Sequence, residues 1–198
     1  MKTNTGVFSC YEKKLICFVI FLTGLFLFSC ATSDILSGNS PKTRYRVTDC
    51  PPEIRKKAVL YAVKYVERET VWAWGGRDYL EDEGILSLDC SGLIVRAFQY
   101  AVKGTKYSLL FEDAPLSAFY EYFTVPIDTL TPGDIIFMGT SMLAPPSHIS
   151  IFVNMDNANI YFIDATLKEE EGINGATLRH YSKDDPRFLY YARLLVKY

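Results

Sequence analysis

One cysteine, Cys90, stands between an aspartate and a serine in the stretch LDCSGLIV at residues 88–95. A thiol attacks a carbonyl carbon only as thiolate, which is the minor form of an ordinary cysteine at neutral pH. Asp89 is a favourable helix N-cap, so Cys90 is expected in the first helical turn, where the helix dipole favours negative charge and N–H groups could hold an oxyanion. Gly92 leaves space on that turn, where we expect a substrate backbone to approach. The pattern indicates a nucleophilic thiol; a buried structural cysteine is the alternative.

A nucleophilic thiol needs a base, and the chain has two histidines. His148 opens the strand pattern HISIFV, in which alternation places His148, Ser150 and Phe152 on one face. His180 lies among charges in TLRHYSKDDP and is expected to be a surface or structural residue. His148 is therefore the predicted base.

A third polar group should orient the imidazole ring of His148. The segments HISIFV and IYFIDATL flank NMDNAN, a sequence typical of a hairpin turn. A turn centred on Asp156 would place Asp164 directly opposite His148, with Cβ atoms about 4.5–5.5 Å apart. A slip of one residue would turn Asp164 to the other face of the sheet. The hairpin predicts that Asp164 completes a triad with Cys90 and His148.

Two helices and a run of strands would have to position these groups. The segment PPEIRKKAVLYAVKYVERET at 51–70 has prolines suited to a helix start and an apolar stripe at helical spacing. The segment DCSGLIVRAFQYAVKG at 89–104 has similar spacing and ends in a glycine. A TPG turn precedes the strand pattern DIIFMG, the hairpin follows, and FLYYARLLVKY is the last strand candidate. Helices followed by an antiparallel sheet indicate an α+β fold.

The composition excludes several classes of protein. A chain of 198 residues suits one folded domain, and a net charge of −2 without a dense Lys/Arg cluster gives no indication of nucleic-acid binding. Two histidines and no CxxC motif leave no convincing zinc-ligand set, so we predict no metal and no other cofactor. We expect the protein to be a monomer.

The first thirty residues differ from the rest of the chain. Three lysines precede an uncharged apolar run over residues 15–29, which is the pattern of a secretory signal and is shorter than the roughly 20 residues of a membrane span. The run ends in LFSC, which resembles the lipobox of bacterial lipoproteins, in which the cysteine, here Cys30, is acylated and becomes the new N-terminus. An uncleaved N-terminal anchor is the alternative. In either case we expect a location in the cell envelope, outside the cytoplasm and held to a membrane.

The predicted domain organisation has three parts: a lipoprotein signal peptide over 1–29, a tether rich in serine and threonine over 30–50, and a folded domain over 51–198. Beyond Cys30, the cysteines left after signal removal are Cys50 and Cys90. Two cysteines in an exported protein could form a disulfide, and a nucleophilic Cys90 would have to stay unpaired.

These motifs together resemble the NlpC/P60 superfamily of cell-wall cysteine peptidases. WGG and DCSG match at residues 74–76 and 89–92, and LTPGDIIFM, SHISIFV and YFIDA resemble the segments that follow. The resemblance covers roughly residues 52–198. It implies a papain-like α+β fold, with N-terminal helices packed on a C-terminal antiparallel sheet. It also implies Cys90 as the nucleophile, His148 as the base and Asp164 as the orienting residue.

The resemblance also implies a substrate, the stem peptides of peptidoglycan, often cut after γ-D-glutamate. The Asp and Ser of the DCSG motif, here Asp89 and Ser91, would bind the free amine of the substrate together with an aromatic residue. That aromatic residue is often tyrosine in the family and is Trp72 in this chain. Core packing is the ordinary role of tryptophan and is expected for Trp74. For Trp72 two alternatives stay open, packing in the core or forming part of the cleft wall.

The sequence therefore predicts a D-glutamyl endopeptidase, a membrane-anchored cysteine peptidase that acts on peptidoglycan. One alternative is a catalytically altered lipoprotein that binds the cell wall. Another is an amidase or acyltransferase of the same fold. A disulfide between Cys50 and Cys90 would leave no nucleophile in the resting protein.

Overall fold

The computed structural model describes residues 45–198, so the predicted signal peptide, Cys30 and most of the predicted tether lie outside the described residues. Within those residues, no helix combines the length and hydropathy needed to cross a membrane. The first strand, β1 (Val47–Asp49), pairs antiparallel with the last strand, β10 (Phe188–Lys197). The prediction that the tether extends to residue 50 is wrong, because residues 47–49 form this short edge strand. Backbone hydrogen bonds hold the strand in the sheet, and its sequence has no apolar pattern from which the strand could be predicted.

The two predicted helices are present, as α1 (Pro52–Glu67) and α2 (Cys90–Val102). Pro52 and Glu53 occupy the first turn of α1, where proline loses no hydrogen bond and an acid complements the helix dipole. Much of α2 is buried, including Leu93, Ile94, Ala97, Phe98 and Ala101. The two helices pack against each other, and α2 also contacts the sheet.

Eight further strands lie between β1 and β10. They are β2 (Thr70–Trp72), β3 (Leu86–Leu88), β4 (Ser108–Leu109), β5 (Thr124–Pro126), β6 (Ile135–Met138), β7 (His148–Met155), β8 (Asn159–Lys168) and β9 (Ile173–Ser182). Short helical segments lie at Leu116–Ala118 (α3), which continues into a π-helical turn at Phe119–Phe123, and at Glu169–Glu171.

Most strands of the described residues join one antiparallel sheet of eight strands, in the order β1-β10-β6-β7-β8-β9, with β4 and β5 also paired to β10. The strands β2 and β3 form a separate parallel pair. The fold is α+β and papain-like, as predicted.

Two apolar clusters lie on opposite faces of the sheet, because successive strand residues point to opposite sides. Ile135 and Phe137 of β6 join the larger cluster, which also contains the buried residues of α1 and α2. Ile136 and Met138 of the same strand join a smaller cluster with Phe162 and its neighbours. The sheet is therefore covered on both faces around the strands that carry His148 and Asp164.

The predicted TPG turn before β6 holds a buried ionic network. Asp134 is fully buried and its carboxylate accepts hydrogen bonds from Arg55 of α1 at 2.9 Å and from Arg193 of β10 at 2.9 and 3.0 Å. The Thr131 amide donates to the same carboxylate at 2.8 Å. The turn also needs Gly133, whose φ is +86° and whose Cβ, if present, would lie 2.3 Å from the Arg55 carbonyl oxygen. This network joins the first helix to the middle of the sheet.

A close backbone contact between the Gly-Gly turn and α2 sets where α2 begins. The Asp89 amide donates to the Gly76 carbonyl at 2.9 Å, and a Cβ on Gly92 would lie 2.0 Å from that same oxygen. The space beside Gly92 is thus filled by the protein's own backbone, and the expectation that a substrate backbone approaches there is wrong. Gly92 serves to bring the residue before Cys90 against the preceding loop.

We predict that Gly92→Ala destabilises the fold by about 3 kcal/mol, the upper range of overpacking costs, because the new methyl group meets a backbone carbonyl that cannot move freely. Alanine would otherwise stabilise a helix by about 1 kcal/mol relative to glycine. Urea unfolding of the full-length chain measures the change. The matched control is Gly84→Ala, where φ is +78° and a Cβ meets no atom within 4 Å, so only the left-handed strain of about 1 kcal/mol applies. Equal stability of Gly92→Ala and the unmodified protein would contradict the contact.

Candidate active site

Asp89 fixes the start of α2 and with it the position of Cys90. Its Oδ1 accepts hydrogen bonds from the Gly92 amide at 2.6 Å and the Ser91 hydroxyl at 2.9 Å, and its Oδ2 accepts one from the Gly75 amide at 2.8 Å. The predicted N-cap is therefore formed. Cys90 is the first residue of the helix and is half-buried. Its thiol sits at the positive end of the helix dipole.

A cleft of about 420 Å³ opens beside Cys90. The cleft brings Cys90 and His148 together with the three residues predicted to bind substrate, Asp89, Ser91 and Trp72. Asp164 is fully buried and lies outside the cleft lining, on the other side of the His148 ring. The complete lining is Trp72, Trp74, Gly75, Arg77, Asp89, Cys90, Ser91, Pro115, Leu116, Ser147, His148, Thr166 and Leu167.

The hairpin of β7 and β8 brings His148 Nε2 to 2.6 Å from Asp164 Oδ2. The predicted register was wrong, however. Ile151 pairs with Ile163 and not with residue 161, because the tight turn lies between Asp156 and Asn159 and β7 has an irregularity after residue 152. The error is two residues, which leaves Asp164 on the same face as a diagonal neighbour of His148. The contact between His148 and Asp164 is still made, because a register shift by an even number of residues keeps Asp164 on the same face of the sheet.

Arg179 of β9 also holds Asp164, and sequence reasoning did not find it. Its Nε donates to Asp164 Oδ1 at 3.0 Å, and its Nη2 donates to Asp164 Oδ2. Its Nη1 donates to the Tyr181 hydroxyl at 2.6 Å. The strand β9 was not predicted because few of its residues are buried and Gly175 interrupts its pattern. The alternation of residues between the two faces of β9 is the sequence signal from which Arg179 could have been predicted.

Charges and hydrogen bonds shift the pKa values of both members of the pair. Burial alone would lower the pKa of His148, but the hydrogen bonds and negative charge of Asp164 and Cys90 outweigh it and raise that pKa to about 9. Burial would raise the pKa of Asp164, but hydrogen bonds from His148 and Arg179 and their positive charge lower it. Asp164 is therefore ionised at neutral pH and can only accept, so His148 Nε2 carries a proton. The other ring nitrogen, Nδ1, is left for the thiol.

These shifts give the pH dependence of folding. The folded pKa of His148, about 9, lies above its unfolded value of about 6.5. Protonated His148 thus stabilises the fold fully below about pH 6.5, and this contribution is lost as the pH rises towards 9. Asp164 acts in the opposite sense, since its lowered pKa stabilises the fold above roughly pH 4 and the contribution is lost as the pH falls.

The two tryptophans have different environments. Trp74 is 89% exposed at the cleft rim, so the expectation that it packs in the core is wrong. The Gly75 φ of +75° starts a tight turn directly after Trp74, which keeps that side chain out of the core. Trp72 is half-buried, lines the cleft, and its amide donates to Asn174 Oδ1 at 2.7 Å.

Cys50 and Cys90 are both free thiols, so the disulfide alternative is wrong. Cys50 is 1% exposed, and burial raises the pKa of its thiol to about 12. His180, the second histidine, is exposed on β9 with its ring 5.3 Å from that of Tyr161. Within residues 45–198, no group of three or more His, Cys, Asp or Glu side chains could hold a metal ion.

A thiol on a helix N-terminus, opposite a histidine and a carboxylate on an antiparallel sheet, defines a papain-like protein. The chain belongs to the NlpC/P60 family, whose model matches residues 69–185, a span that contains Cys90, His148 and Asp164. Proteins of this family are generally cysteine peptidases or hydrolases, and membership suggests cell-wall peptidase activity.

Among solved structures, the chain is similar to NlpC1 from Trichomonas vaginalis, with a TM-score of 0.50 and 17% identity. The match covers 74% of this chain and 46% of that protein, so this chain spans about half of its length. At this identity the likeness shows the fold alone. No curated protein sequence matches the chain.

We predict that iodoacetamide labels Cys90 in the native full-length chain and leaves Cys50 unlabelled until the protein unfolds. The physical reason is that Cys90 lines the cleft, whereas the Cys50 thiol is buried and stays protonated because its pKa is raised to about 12. Peptide mapping by mass spectrometry measures labelling at each cysteine separately. Equal native labelling of the two cysteines, or a Cys90 that reacts only after reduction, would contradict this assignment.

We predict that Asp164→Asn lowers the pKa of the His148 ring well below the value of about 9, because it removes the carboxylate that favours the imidazolium. NMR titration of labelled histidine measures it directly, and the chain has only one other histidine, His180, to resolve. The matched control is Asp128→Asn, an exposed acid, which should leave the His148 titration unchanged. An unmodified His148 that titrates near 6.5 would show that Asp164 does not hold the imidazolium.

Proposed function

We propose that this chain is a peptidoglycan hydrolase that cleaves amide bonds of stem peptides through Cys90, His148 and Asp164. The observation that carries the proposal is the convergence of three elements on one cleft: the N-terminus of α2 supplies the thiol, β7 the imidazole and β8 the carboxylate behind it. Family membership supports the substrate class. The bond we assign is the one after γ-D-glutamate, so the activity is of the D-glutamyl endopeptidase type.

In the proposed mechanism Cys90 reacts as a thiolate, and His148 Nδ1 holds the proton that the thiol has given up. Asp164 accepts from Nε2–H, which fixes the ring and stabilises the imidazolium that forms. The thiolate attacks the amide carbon, and the backbone amide of Cys90 at the helix start stabilises the oxyanion. Nδ1–H then protonates the leaving amine, the C–N bond breaks, and a thioester remains on Cys90. Water, deprotonated by His148, then hydrolyses the thioester, which releases the Cys90 thiolate and leaves His148 protonated again.

We assign the recognition of the substrate's free amine to Asp89, Ser91 and Trp72, which all line the cleft. Asp89 Oδ1 already accepts two protein hydrogen bonds and Oδ2 accepts one, so Oδ2 is the oxygen with capacity left for an ammonium group. Ser91 donates its hydroxyl proton to Asp89 and can still accept. Trp72 supplies an aromatic face but no hydroxyl, and a cation beside such a face is attracted to it.

We also propose that acylated Cys30 holds this domain to a membrane outside the cytoplasm, with residues 31–44 as a tether. The support is the sequence alone: a basic start, an apolar run and the LFSC motif. Such a position would bring the cleft to peptidoglycan, which lies outside the cytoplasmic membrane.

We predict that the full-length chain cleaves stem peptides that have been detached from purified peptidoglycan and carry a free L-Ala amine. Cys90→Ala should lower the rate by about 10³-fold or more, because nothing else in the cleft can form the thioester. Product identification by mass spectrometry should find L-Ala-γ-D-Glu as the new fragment. Cys50→Ala is the matched control and should retain the activity, since Cys50 is buried away from the cleft.

Three outcomes would contradict the proposal in different ways. Binding to peptidoglycan or to its stem peptides without cleavage would favour a cell-wall binding protein. A different cleaved or newly formed amide bond would favour an amidase or an acyltransferase of the same fold. Equal rates for the unmodified chain and Cys90→Ala would remove Cys90 from the reaction.

A further inference from the structure

A second, smaller pocket adjoins the cleft on the side of His148. Its volume is about 200 Å³, and it shares Ser147, His148 and Thr166 with the cleft. Cys90, Asp89 and Ser91 line the cleft and do not line this second pocket. The two cavities therefore meet at the imidazole ring, with the thiol on one side only.

The second pocket has a cationic lining. Lys168, Arg179 and Arg187 line it, together with the hydroxyl groups of Thr140 and Tyr181, and no acidic side chain lines it. We call it the basic pocket. Three cations and several hydroxyl donors around a small concave space favour an anion with two or three oxygen atoms.

Lys168 and Arg187 both keep N–H donors that their protein partners do not use. Lys168 donates to Glu171 at 2.8 Å and to the Tyr181 hydroxyl at 3.2 Å, which leaves one of its three protons. Arg187 uses Nε and Nη2 on Asp185, at 2.8 and 2.7 Å, and its guanidinium lies 3.6 Å from the centre of the Tyr181 ring. Lys168 and Arg187 are thus held in place by their partners.

Arg179 has a different task in the same pocket. Its Nε and Nη2 bind Asp164, and its Nη1 binds the Tyr181 hydroxyl. It contributes positive charge to the basic pocket while its hydrogen bonds serve the buried carboxylate. The Arg179 side chain is 8% exposed, against 27% for Lys168 and 46% for Arg187, so Lys168 and Arg187 are the cations that a ligand can contact.

The position of the basic pocket identifies the part of the substrate that would enter it. In the proposed mechanism, which this inference rests on, His148 protonates the leaving amine, so the leaving fragment must lie next to the imidazole ring. The acyl fragment extends instead towards Asp89 and Ser91, which lie beside Cys90. A pocket that touches His148 but not Cys90 is on the leaving-fragment side.

We propose that the basic pocket binds a carboxylate of the leaving fragment through Lys168 and Arg187, and so selects substrates whose leaving peptide ends in a free carboxylate. A substrate would then be held at both ends, by Asp89 at its amine and by two cations at its carboxylate. Such a carboxylate is present at the C-terminus of a short uncrosslinked peptide. It is absent when the C-terminus is amidated or linked to a further residue.

The test compares cleavage of L-Ala-γ-D-Glu-L-Lys and L-Ala-γ-D-Glu-L-Lys-D-Ala, each with a free and with an amidated C-terminus, by the full-length chain purified in detergent. Because an amide cannot make the charge-assisted hydrogen bonds that a carboxylate makes, the free acid should be cleaved with kcat/KM about tenfold higher or more in at least one peptide pair. Lys168→Met and Arg187→Gln should each reduce the ratio of kcat/KM for the free acid to kcat/KM for the amide towards one. Lys168→Arg, which keeps the positive charge, should retain most of this ratio.

Lys103→Met is the matched control, because Lys103 lines neither the cleft nor the basic pocket and its loss should leave the ratio unchanged. The ratio compares two substrates of one protein sample, so a variant that folds poorly lowers both rates and does not imitate the effect. Equal cleavage of acid and amide by the unmodified chain would overturn the basic-pocket assignment and leave the peptidase proposal intact. No cleavage of any of the four peptides would overturn both.

Discussion

The buried Asp164 carboxylate is the group on which the site depends. A carboxylate removed from water is costly unless charged hydrogen bonds replace the lost solvation, and Arg179 and His148 supply them from two neighbouring elements. The same contacts lower the pKa of Asp164 and, with Cys90, raise the pKa of His148 to about 9. One buried charge therefore fixes the imidazole ring, selects the nitrogen that faces the thiol, and keeps the ring protonated at neutral pH.

The thiol is positioned by an independent contact between backbones. Gly92 lets the first turn of α2 meet the loop after β2, and Gly76 lets that loop meet β3. A methyl group on either residue would overlap main-chain atoms. Asp89 closes this contact by accepting from the amides of Gly75 and Gly92. The helix start and the hairpin are thus built separately, and packing of α2 against the sheet brings Cys90 to His148. A change that shifts either the start of α2 or the hairpin would move the thiol away from the imidazole.

The parts of this arrangement that depend on local patterns could be predicted from the sequence. Asp89 as N-cap and Cys90 as first helical residue follow from side-chain chemistry over three positions, and period-two alternation gives the faces of β7 and β8. The exact register did not follow, because it depends on where the turn tightens, although a two-residue error preserves the face of Asp164. Arg179 was missed because a polar strand such as β9 is held in the sheet by its pairing with the neighbouring strand, and its sequence shows little apolar pattern. The exposure of Trp74 was missed for a similar reason, since it depends on a glycine turn that bends the chain away from the core.

In the proposed reaction, Cys90 carries the acyl group of a stem peptide as a thioester. The most direct measurement is rapid acid quenching of the full-length chain during turnover of L-Ala-γ-D-Glu-L-Lys, followed by mass spectrometry of the peptide that contains Cys90. We expect a transient adduct with the mass of the L-Ala-γ-D-Glu acyl group on Cys90, formed before free dipeptide accumulates. Release of dipeptide with no adduct on Cys90 at any time, or an adduct on another residue, would contradict it.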